Sequence, residues 1–399
     1  MRILVLCSDT GVRVGAGTGA ALHLLAITSA FAALGHETEV VGVGADPDQE
    51  LEPWDVPQHL VPYPGRADAP LREIRQREVV ERVAASGIEA AARLRPQLVY
   101  ERLSPFGTAG LRVAATSGAR HVVEINALPM RREAGWQGLP ETTLGEAAET
   151  MVLAGADLRV AVSEQVAAEV RLLCGESPMV VVPNGVDVEL FGDRPDPVRA
   201  RARLGLPVSA RLLCFTGSLR HGQGIDVAIE AMAALPHDVH LVVAGDGPMR
   251  QDLASRAHAL GLHARIHWLG QVAHAQIPGV LAACDVALAP YPTTPDFGVS
   301  PLKLYEYLAA GIPVVASSIG QILHAMDGGR WGCLVYPGDP VALAAGVADV
   351  LRDPTAATAR AERARLHALT EYGWTNRAQR VLSAVASLAG DGLLHAIAR

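Results

Sequence analysis

Short apolar segments alternate along this chain with longer segments in which apolar residues recur every three or four positions. The first pattern is typical of buried strands and the second of amphipathic helices. In the N-terminal half the pattern predicts strands at 3–7, 39–43, 98–100, 121–125, 158–162 and 179–182, with helices ending near 34 and spanning 71–95, 107–116, 143–154 and 163–173. The proline-rich segment 46–70 receives no assignment. This alternation predicts a parallel sheet covered by helices.

The alternation starts again after residue 187. The sequence VPNGVD ends the first run, and the charged, proline-containing segment 194–203 follows it. Strands are then predicted at 212–215, 239–244, 265–269, 286–289 and 314–316, and two helical stretches follow Asp353. We therefore expect an α/β protein with two doubly wound, Rossmann-like domains, residues 1–187 and 188–375, which face a central cleft between their strand carboxyl ends.

Composition and charge narrow the function classes. Half of the residues are hydrophobic and 4% are aromatic, which suits helices packed on buried parallel strands. The formal charge of −8 and the lack of a basic run with interleaved aromatics argue against a nucleic-acid partner. The basic pair Arg131-Arg132 is too small to predict more than peripheral membrane contact. We expect a cytoplasmic protein, because its five cysteines are scattered without metal-ligand spacing and no segment is long enough to span a bilayer.

The segment 296–318, DFGVSPLKLYEYLAAGIPVVASS, predicts an anion site. Its loop leads into a helix for which Ser300 is a suitable N-cap and Pro301 a suitable first residue. The amides and dipole at a helix N-terminus attract anions. Lys303 falls in this first turn and is the only lysine of the chain. Glu306 lies one turn further on, either facing the same ligand or forming an i,i+3 surface pair with Lys303.

A second glycine-rich strand-to-helix turn, GSLRHGQG at 217–224, carries Arg220. A guanidinium at this place can clamp a diphosphate with two parallel hydrogen bonds. The alternative is a solvated loop arginine. The sequence GDGP at 245–248 closes the next predicted strand and is first of all a turn signal.

Polar residues also end two predicted strands of the N-terminal half. Glu124 and Asn126 end the strand HVVEIN, and Glu101 and Arg102 end the strand before it. Polar groups at these ends face the cleft in doubly wound folds, although a mutual Glu101–Arg102 ion pair is an alternative. His23, inside the first helix, fits either a site residue or a packed histidine. No nucleophile triad or histidine–aspartate metal cluster is recognisable.

Taken in order, these motifs resemble the retaining GT-B glycosyltransferases of family 4. The match spans nearly the whole chain. Its pieces are Thr18-Gly19-Ala20 with His23, VPNGVD followed by Phe191, GSL at 217, GDGP at 245, WLG at 268–270, and the block FGVSPLKLYEYLAAGIPVVAS. The segments YER, FGxxG and VVEINALP further resemble one bacterial branch. The resemblance implies that a C-terminal helix, about 376–399, packs back on the first domain.

The resemblance also implies roles for single residues. Glu306 matches the second glutamate of the family's pair, which hydrogen-bonds the ribose of a nucleoside diphosphate sugar. The implied donor-binding residues are Thr18, Gly19, Gly217, Gly247, Gly270, Val272, Gly298, Val299, Ser300, Pro301, Leu304 and Glu306. The implied acceptor-binding residues are His23, Glu101, Arg102 and Glu124, and the catalytic candidates are Lys303, Arg220, Asn126 and Glu306.

The chain departs from the family pattern at several positions. Gly298 replaces the first glutamate of the pair, and the usual arginine and lysine of the phosphate turn fall at Ser218 and Gln223. Arg220 and Lys303 supply charge from neighbouring positions, as in the branch with an SPLK motif. The family's frequent cleft histidine falls at Asn126.

The expected function is transfer of a sugar, with retention, from a nucleoside diphosphate sugar to a small or lipid-linked acceptor. Natural-product or cell-surface glycan biosynthesis is the expected setting. No metal or other cofactor is expected, because amides, Lys303 and Arg220 stabilise the leaving diphosphate. The alternatives are a sugar-nucleotide epimerase or pseudo-sugar coupling enzyme of the same fold, and a non-catalytic sugar-nucleotide-binding subunit.

Overall fold

The computed structural model describes residues 1–45, 54–65, 69–132, 142–293 and 300–388. The chain forms two compact units, each with its own parallel sheet. Within the described residues, the first contains the chain up to Pro183, Ser300 and the chain from Trp374 to Leu388, and the second contains the rest of the chain from Asn184 to Gly373. The predicted boundary of 187 and the predicted C-terminal helix start of 376 lie a few residues from these positions.

The first unit has a sheet in the order β2-β3-β1-β5-β6-β7-β8, with β4 also paired to β3, within the described residues. All of its strand pairs are parallel. Its elements are β1 (Arg2–Cys7), β2 (Arg13–Val14), α1 (Gly19–Ala33), β3 (Glu37–Gly44), β4 (Gln58–Val61), α2 (Ala69–Leu94), β5 (Leu98–Arg102), α3 (Ala109–Ser117), β6 (Arg120–Ile125), α4 (Pro129–Arg132), α5 (Thr142–Gly155), β7 (Leu158–Ala161), α6 (Glu164–Cys174) and β8 (Met179–Val181).

The chain returns to this unit in α15 (Trp374–Ser387). Its apolar residues Val381, Leu382 and Val385 are buried in the same core as Ile27 and Phe31 of α1. Burial of such side chains contributes roughly 1.5–3 kcal/mol each relative to their exposure. The last helix is therefore part of the hydrophobic core of the first unit.

The second unit has a six-stranded parallel sheet in the order β11-β10-β9-β12-β13-β14. The strand order reverses direction between β9 and β12, which is the position where doubly wound folds bind ligands. The elements are α7 (Pro197–Arg203), β9 (Arg211–Thr216), α8 (Ile225–Ala231), β10 (Val239–Ala244), α9 (Arg250–Ala259), β11 (Ile266–Gly270), α10 (Ile277–Ala282), β12 (Val286–Ala289), α11 (Leu302–Ala310), β13 (Val314–Ser317), α12 (Gly320–Ala325), β14 (Cys333–Val335), α13 (Pro340–Arg352) and α14 (Pro354–Glu371).

The helix boundaries follow from local sequence. The hydroxyls of Thr18 and Ser163 accept hydrogen bonds from amides in the first turns of α1 and α6. Asp339 and Asp353 do the same for α13 and α14, each followed by a proline that tolerates the first helical position. These caps satisfy amides that have no partner within their own helix.

Short elements account for most differences between the predicted and observed folds. The predictions omitted α13, which has 13 residues, and also β2, β4, α4, α7, α12 and β14, which are two to seven residues long. Segments of this length contain too few positions to show a period. The prediction of two Rossmann-like α/β domains is confirmed. Among the described residues, no helix is both long enough and apolar enough to cross a membrane.

Candidate functional site

Close backbone contacts explain the glycines that follow the strands of the second unit. Gly217 follows β9 and Gly245 follows β10, and a Cβ added to Gly245 would lie 1.9 Å from the Gly217 carbonyl oxygen. A Cβ on Gly224 would lie 1.7 Å from the carbonyl oxygen of Pro290, just after β12. Both glycines have positive φ angles, of 151° for Gly245 and 75° for Gly224. Only glycine permits this conformation together with such approach.

The amine of Lys303 lies where the strand order of the second sheet reverses. Its Nζ is 4.0 Å from the ring centroid of Phe215 in β9 and 5.3 Å from that of Tyr291 after β12. It donates a hydrogen bond of 3.1 Å to Gln223 Oε1. A Cβ on Gly217 would lie 2.9 Å from Nζ, so a side chain at residue 217 would displace the amine.

Burial favours the neutral form of this amine. Lys303 is 8% exposed, and burial lowers its pKa to about 7, against the opposing effect of Glu306. A buried ammonium loses hydration that two aromatic faces and one amide oxygen only partly replace. An anion placed beside Nζ would restore the charged form.

The helix beside this amine begins later than predicted. Pro301, with φ −75° and ψ 119°, is the N-cap, so α11 starts at Leu302 and Ser300 does not cap it. Ser300 and Pro301 are both buried. Leu304 is fully buried in the hydrophobic core of the second unit, and its amide donates to the Pro301 carbonyl oxygen at 3.2 Å. Two further predicted donor residues, Gly298 and Val299, lie outside the described residues.

Arg220 lies in the turn after β9 and is exposed. The turn bends back on itself, with the Gln223 amide donating to the Arg220 carbonyl oxygen at 3.4 Å. Gly247 belongs to the neighbouring turn, where a Cβ would lie 2.6 Å from the Leu219 carbonyl oxygen. Gly217, Gly247 and Lys303 therefore belong to one set of packed turns, and the Arg220 side chain extends from it into solvent.

Glu306 pairs with a histidine that the sequence did not single out. Its Oε1 lies 2.8 Å from Nε2 of His274, which follows β11. The alternative of an exposed surface pair with Lys303 is wrong, because the Glu306 carboxylate is only 13% exposed and contacts His274. Gly270 ends β11 and accepts a hydrogen bond of 2.7 Å from the Gly245 amide, and Val272 packs partly buried against the core.

In the first unit, Thr18 and Gly19 lie at the N-terminus of α1. Both residues are exposed, and the Thr18 hydroxyl accepts from the Ala21 amide at 3.4 Å. The amide of Gly19 belongs to the first turn of the helix, where no intrahelical acceptor exists for it. This end of α1 is accessible to an anion.

Four side chains surround the carboxylate of Glu124. Its Oε2 accepts from Tyr100 Oη at 2.5 Å and lies 2.8 Å from His23 Nε2, while Oε1 accepts from Arg102 Nη1 at 3.2 Å and from Asn126 Nδ2. Burial alone raises the pKa of a carboxyl, but His23, Arg102 and Tyr100 together lower that of Glu124 to about 2. Glu124 is therefore an ionised anchor for its neighbours.

His23 is both packed and part of this cluster. Its side chain is 4% exposed and its ring meets that of Trp374 edge-to-face at 4.9 Å. The structure shows a packed histidine that also contacts Glu124, and acceptor binding by His23 stays a prediction.

Glu101 does not join this cluster. Adjacent strand residues point to opposite faces, so Arg102 meets Glu124 while Glu101 faces the other way. Its carboxylate accepts from the Gly110 amide at 2.8 Å and lies 2.9 Å from His121 Nε2. The proposed Glu101–Arg102 ion pair is wrong for the same reason. With 1% of its surface exposed, Glu101 ties α3 and β6 to β5, and acceptor contact is not its role here.

The sequence analysis did not identify three residues that contact the predicted site residues Glu306, Lys303 and Glu124. These are His274, Gln223 and Tyr100, respectively. Tyr100 lies inside β5, while Gln223 and His274 lie in the loops that follow β9 and β11. Their contacts join different elements, so the local pattern of the sequence does not indicate them. In the parts of the chain that the structure describes, no three His, Cys, Asp or Glu side chains form a metal-binding group.

Two family models match the chain. The model "Glycosyltransferase Family 4" matches residues 17–190, and "Glycosyl transferases group 1" matches residues 210–353. A D-inositol 3-phosphate glycosyltransferase of Catenulispora acidiphila is 32% identical over 306 residues, which cover 72% of this chain and 71% of that protein. Other curated relatives are matched over about half of their length.

Solved structures share the fold. Sucrose-phosphate synthase from Thermosynechococcus elongatus superposes with a TM-score of 0.75 at 21% identity, covering 98% of this chain and 99% of that one. The Anabaena protein HepE, solved in complex with UDP-glucose, superposes with a TM-score of 0.73 at 21% identity over 97% of this chain and 100% of that one. These likenesses and the two parallel sheets identify a two-domain GT-B fold. Together with the family models and the sequence relative, they show that the chain is a glycosyltransferase enzyme belonging to family 4.

Proposed function

We propose that this glycosyltransferase moves a sugar, with retention at the anomeric carbon, from a nucleoside diphosphate sugar bound by the second unit. The observation that carries the proposal is the Lys303 amine, held between Phe215 and Tyr291 beside Gly217 at the point where the strand order reverses. A diphosphate there would neutralise a buried cation and would meet backbone amides at the start of α11. HepE, a structural relative, binds UDP-glucose.

The proposed chemistry places the developing negative charge on the leaving diphosphate. The bond from the anomeric carbon to the phosphate oxygen breaks, and the acceptor oxygen forms a bond to the same face of that carbon. The acceptor proton passes to the leaving phosphate oxygen. Lys303 and backbone amides stabilise this oxygen, and Arg220 closes on the diphosphate from its exposed position. Protein groups supply all of the positive charge, so the proposal requires no metal ion.

The first unit supplies the acceptor side in this proposal. Glu124 has a pKa of about 2 and is bonded to four side chains, so it is a poor general base at neutral pH. Its role is to hold Asn126 and Arg102, whose remaining polar atoms bind acceptor hydroxyls. The relative in Catenulispora is named for D-inositol 3-phosphate, and we propose a small polyol or a lipid-linked sugar as the acceptor class.

The donor contacts are proposed in three groups. Glu306 binds the ribose, the segment from Gly270 to Val272 meets the base, and the diphosphate lies against Gly217, Gly247 and the backbone from Gly298 to Leu304, including the SPLK motif. Thr18 and Gly19 contribute the α1 N-terminus to the donor phosphates. Biosynthesis of a natural product or cell-surface glycan is the proposed setting.

A thermal-shift screen tests the donor assignment. The protein and its Lys303→Ala variant are heated with uridine, guanosine, adenosine and thymidine diphosphates and their sugars. A ligand at a hundredfold excess over its dissociation constant stabilises the folded state by about 2.7 kcal/mol. We expect one base to raise the melting temperature of the wild type and to lose most of this effect in Lys303→Ala. No shift with any nucleotide would overturn the donor assignment, and unchanged turnover in EDTA would support the absence of a metal.

A further inference from the structure

The pairing of Glu306 with His274 joins two elements of the second unit. Glu306 belongs to the second turn of α11, and His274 lies four residues after the end of β11. Their contact, 2.8 Å between Oε1 and Nε2, is a short hydrogen bond between a carboxylate and a ring nitrogen. It links the helix that carries Lys303 to the segment that contains Val272.

Packing restricts the movement of both partners. Their side chains are 20% exposed for His274 and 13% for Glu306. The ring of Phe191 lies 6.2 Å from the imidazole, at a tilt of 57°. Phe191 is itself fully buried, so the imidazole rests on a fixed apolar surface. His274 therefore offers its Nε2 proton from a defined direction.

This contact gives the two carboxylate oxygens of Glu306 different roles. Oε1 accepts from His274, and the plane of the carboxylate is thereby fixed. A carboxylate accepts further hydrogen bonds at its second oxygen, so Oε2 keeps a set direction for a hydroxyl donor. Without the imidazole, the glutamate side chain regains rotamer freedom that ligand binding must then remove.

We propose that His274 is a positioning residue that orients Glu306 toward the ribose hydroxyls of the donor nucleotide. This inference rests on the proposed donor site. It assigns His274 no contact with the reacting sugar. Loss of the imidazole should therefore weaken nucleotide binding and leave the chemical step unchanged once the donor is bound.

Two substitutions separate orientation from simple packing. Glutamine places an amide N–H near the position of Nε2, whereas alanine removes the donor. We expect His274→Ala to raise the KM for the donor and the Kd for its nucleoside diphosphate about tenfold, with kcat within about twofold of wild type. We expect His274→Gln to restore most of the affinity. His240→Ala is the matched control, because His240 is a partly buried histidine of the same unit whose ring nitrogen meets His267 at 3.0 Å.

A double-mutant cycle tests whether the effect passes through Glu306. In the Glu306→Ala background, His274→Ala should have no further effect on nucleotide affinity, since no carboxylate remains to be oriented. A nucleoside diphosphate lacking the ribose 2′- and 3′-hydroxyls should likewise bind wild type and His274→Ala with equal affinity. The measurement is isothermal titration calorimetry, carried out well below the melting temperature of each variant.

The outcomes separate this inference from the donor assignment. If wild type binds no nucleoside diphosphate, the proposed donor site itself is wrong. If wild type binds and His274→Ala binds equally well, or if kcat falls while KM is unchanged, the positioning role is wrong and the donor site stands. An additive loss in the double variant would also overturn it, because His274 would then act independently of Glu306.

Discussion

Donor binding should draw one proton from solution at mildly alkaline pH. In the free protein, burial lowers the pKa of Lys303 to about 7. A diphosphate beside Nζ favours the charged amine and raises this pKa back toward its ordinary range. Above pH 7 the free amine is mostly neutral, so binding must protonate it. The experiment therefore varies the pH, and its control is Lys303→Arg, whose side chain does not change protonation in this range.

The magnitude follows from the pKa of the free amine. With the pKa of the free amine at about 7 and the bound amine charged throughout, about 0.9 proton is taken up per donor at pH 8 and about 0.1 at pH 6. The affinity falls about tenfold, or about 1.4 kcal/mol, for each pH unit above 7.5. A nucleoside diphosphate sugar is the right probe, because its diphosphate has no terminal phosphate group that titrates in this range.

Calorimetric titrations in two buffers of different ionisation enthalpy measure this uptake. The dependence of the observed enthalpy on the buffer gives the number of protons directly. The guanidinium of Lys303→Arg stays charged at all these pH values, so this variant should show no uptake. Equal uptake in wild type and Lys303→Arg would refute the reasoning, since the proton would then come from another group. So would an affinity that is constant from pH 6.5 to 9.

Two further predictions concern stability and are measured by urea unfolding. Gly245→Ala should cost about 3 kcal/mol, because its Cβ would meet the Gly217 carbonyl at a φ of 151°. Gly222→Ala, with positive φ but open space around it, should cost only about 1 kcal/mol; equal costs would argue against the backbone contact. Burial raises the pKa of Glu149 from 4.5 to about 7, so the folded state binds more protons than the unfolded state between these values. Its contribution to stability therefore falls as pH rises through this window, and Glu149→Gln should abolish that slope.

The sequence predicted the fold well because its long elements are strongly periodic. Strand β10 was predicted with its observed bounds, and α2, α5 and α6 within two residues. Caps such as Ser163 marked helix starts through a local hydrogen bond. The start of α11 was misplaced because Ser300 and Pro301 also satisfy the local rule, and only the extended conformation at Pro301 decides between them.

The site was harder to predict, since its pairings depend on which side chains of different elements meet. The strand ends indicated Glu124, the predicted helix N-terminus indicated Lys303, and the family resemblance indicated the role of Glu306. The sequence did not reveal that Glu101 and Arg102 face opposite sides of β5, although the period of two in a strand implies it. It also did not indicate that His274 meets Glu306, because the contact between the loop after β11 and helix α11 is set by tertiary packing.

Burial has opposite consequences for the two charged groups at the centre of these sites. Glu124 keeps its charge because four protein donors replace its hydration, and it gains nothing further from a ligand. Among the described residues, Lys303 meets one amide oxygen, two aromatic faces and the charge of Glu306, and these offset its burial only in part. A ligand can therefore gain binding free energy at Lys303 but not at Glu124. Loss of Glu124 leaves buried donors unsatisfied and so damages the first unit itself, whereas loss of Lys303 removes a desolvated charge and damages only what binds there.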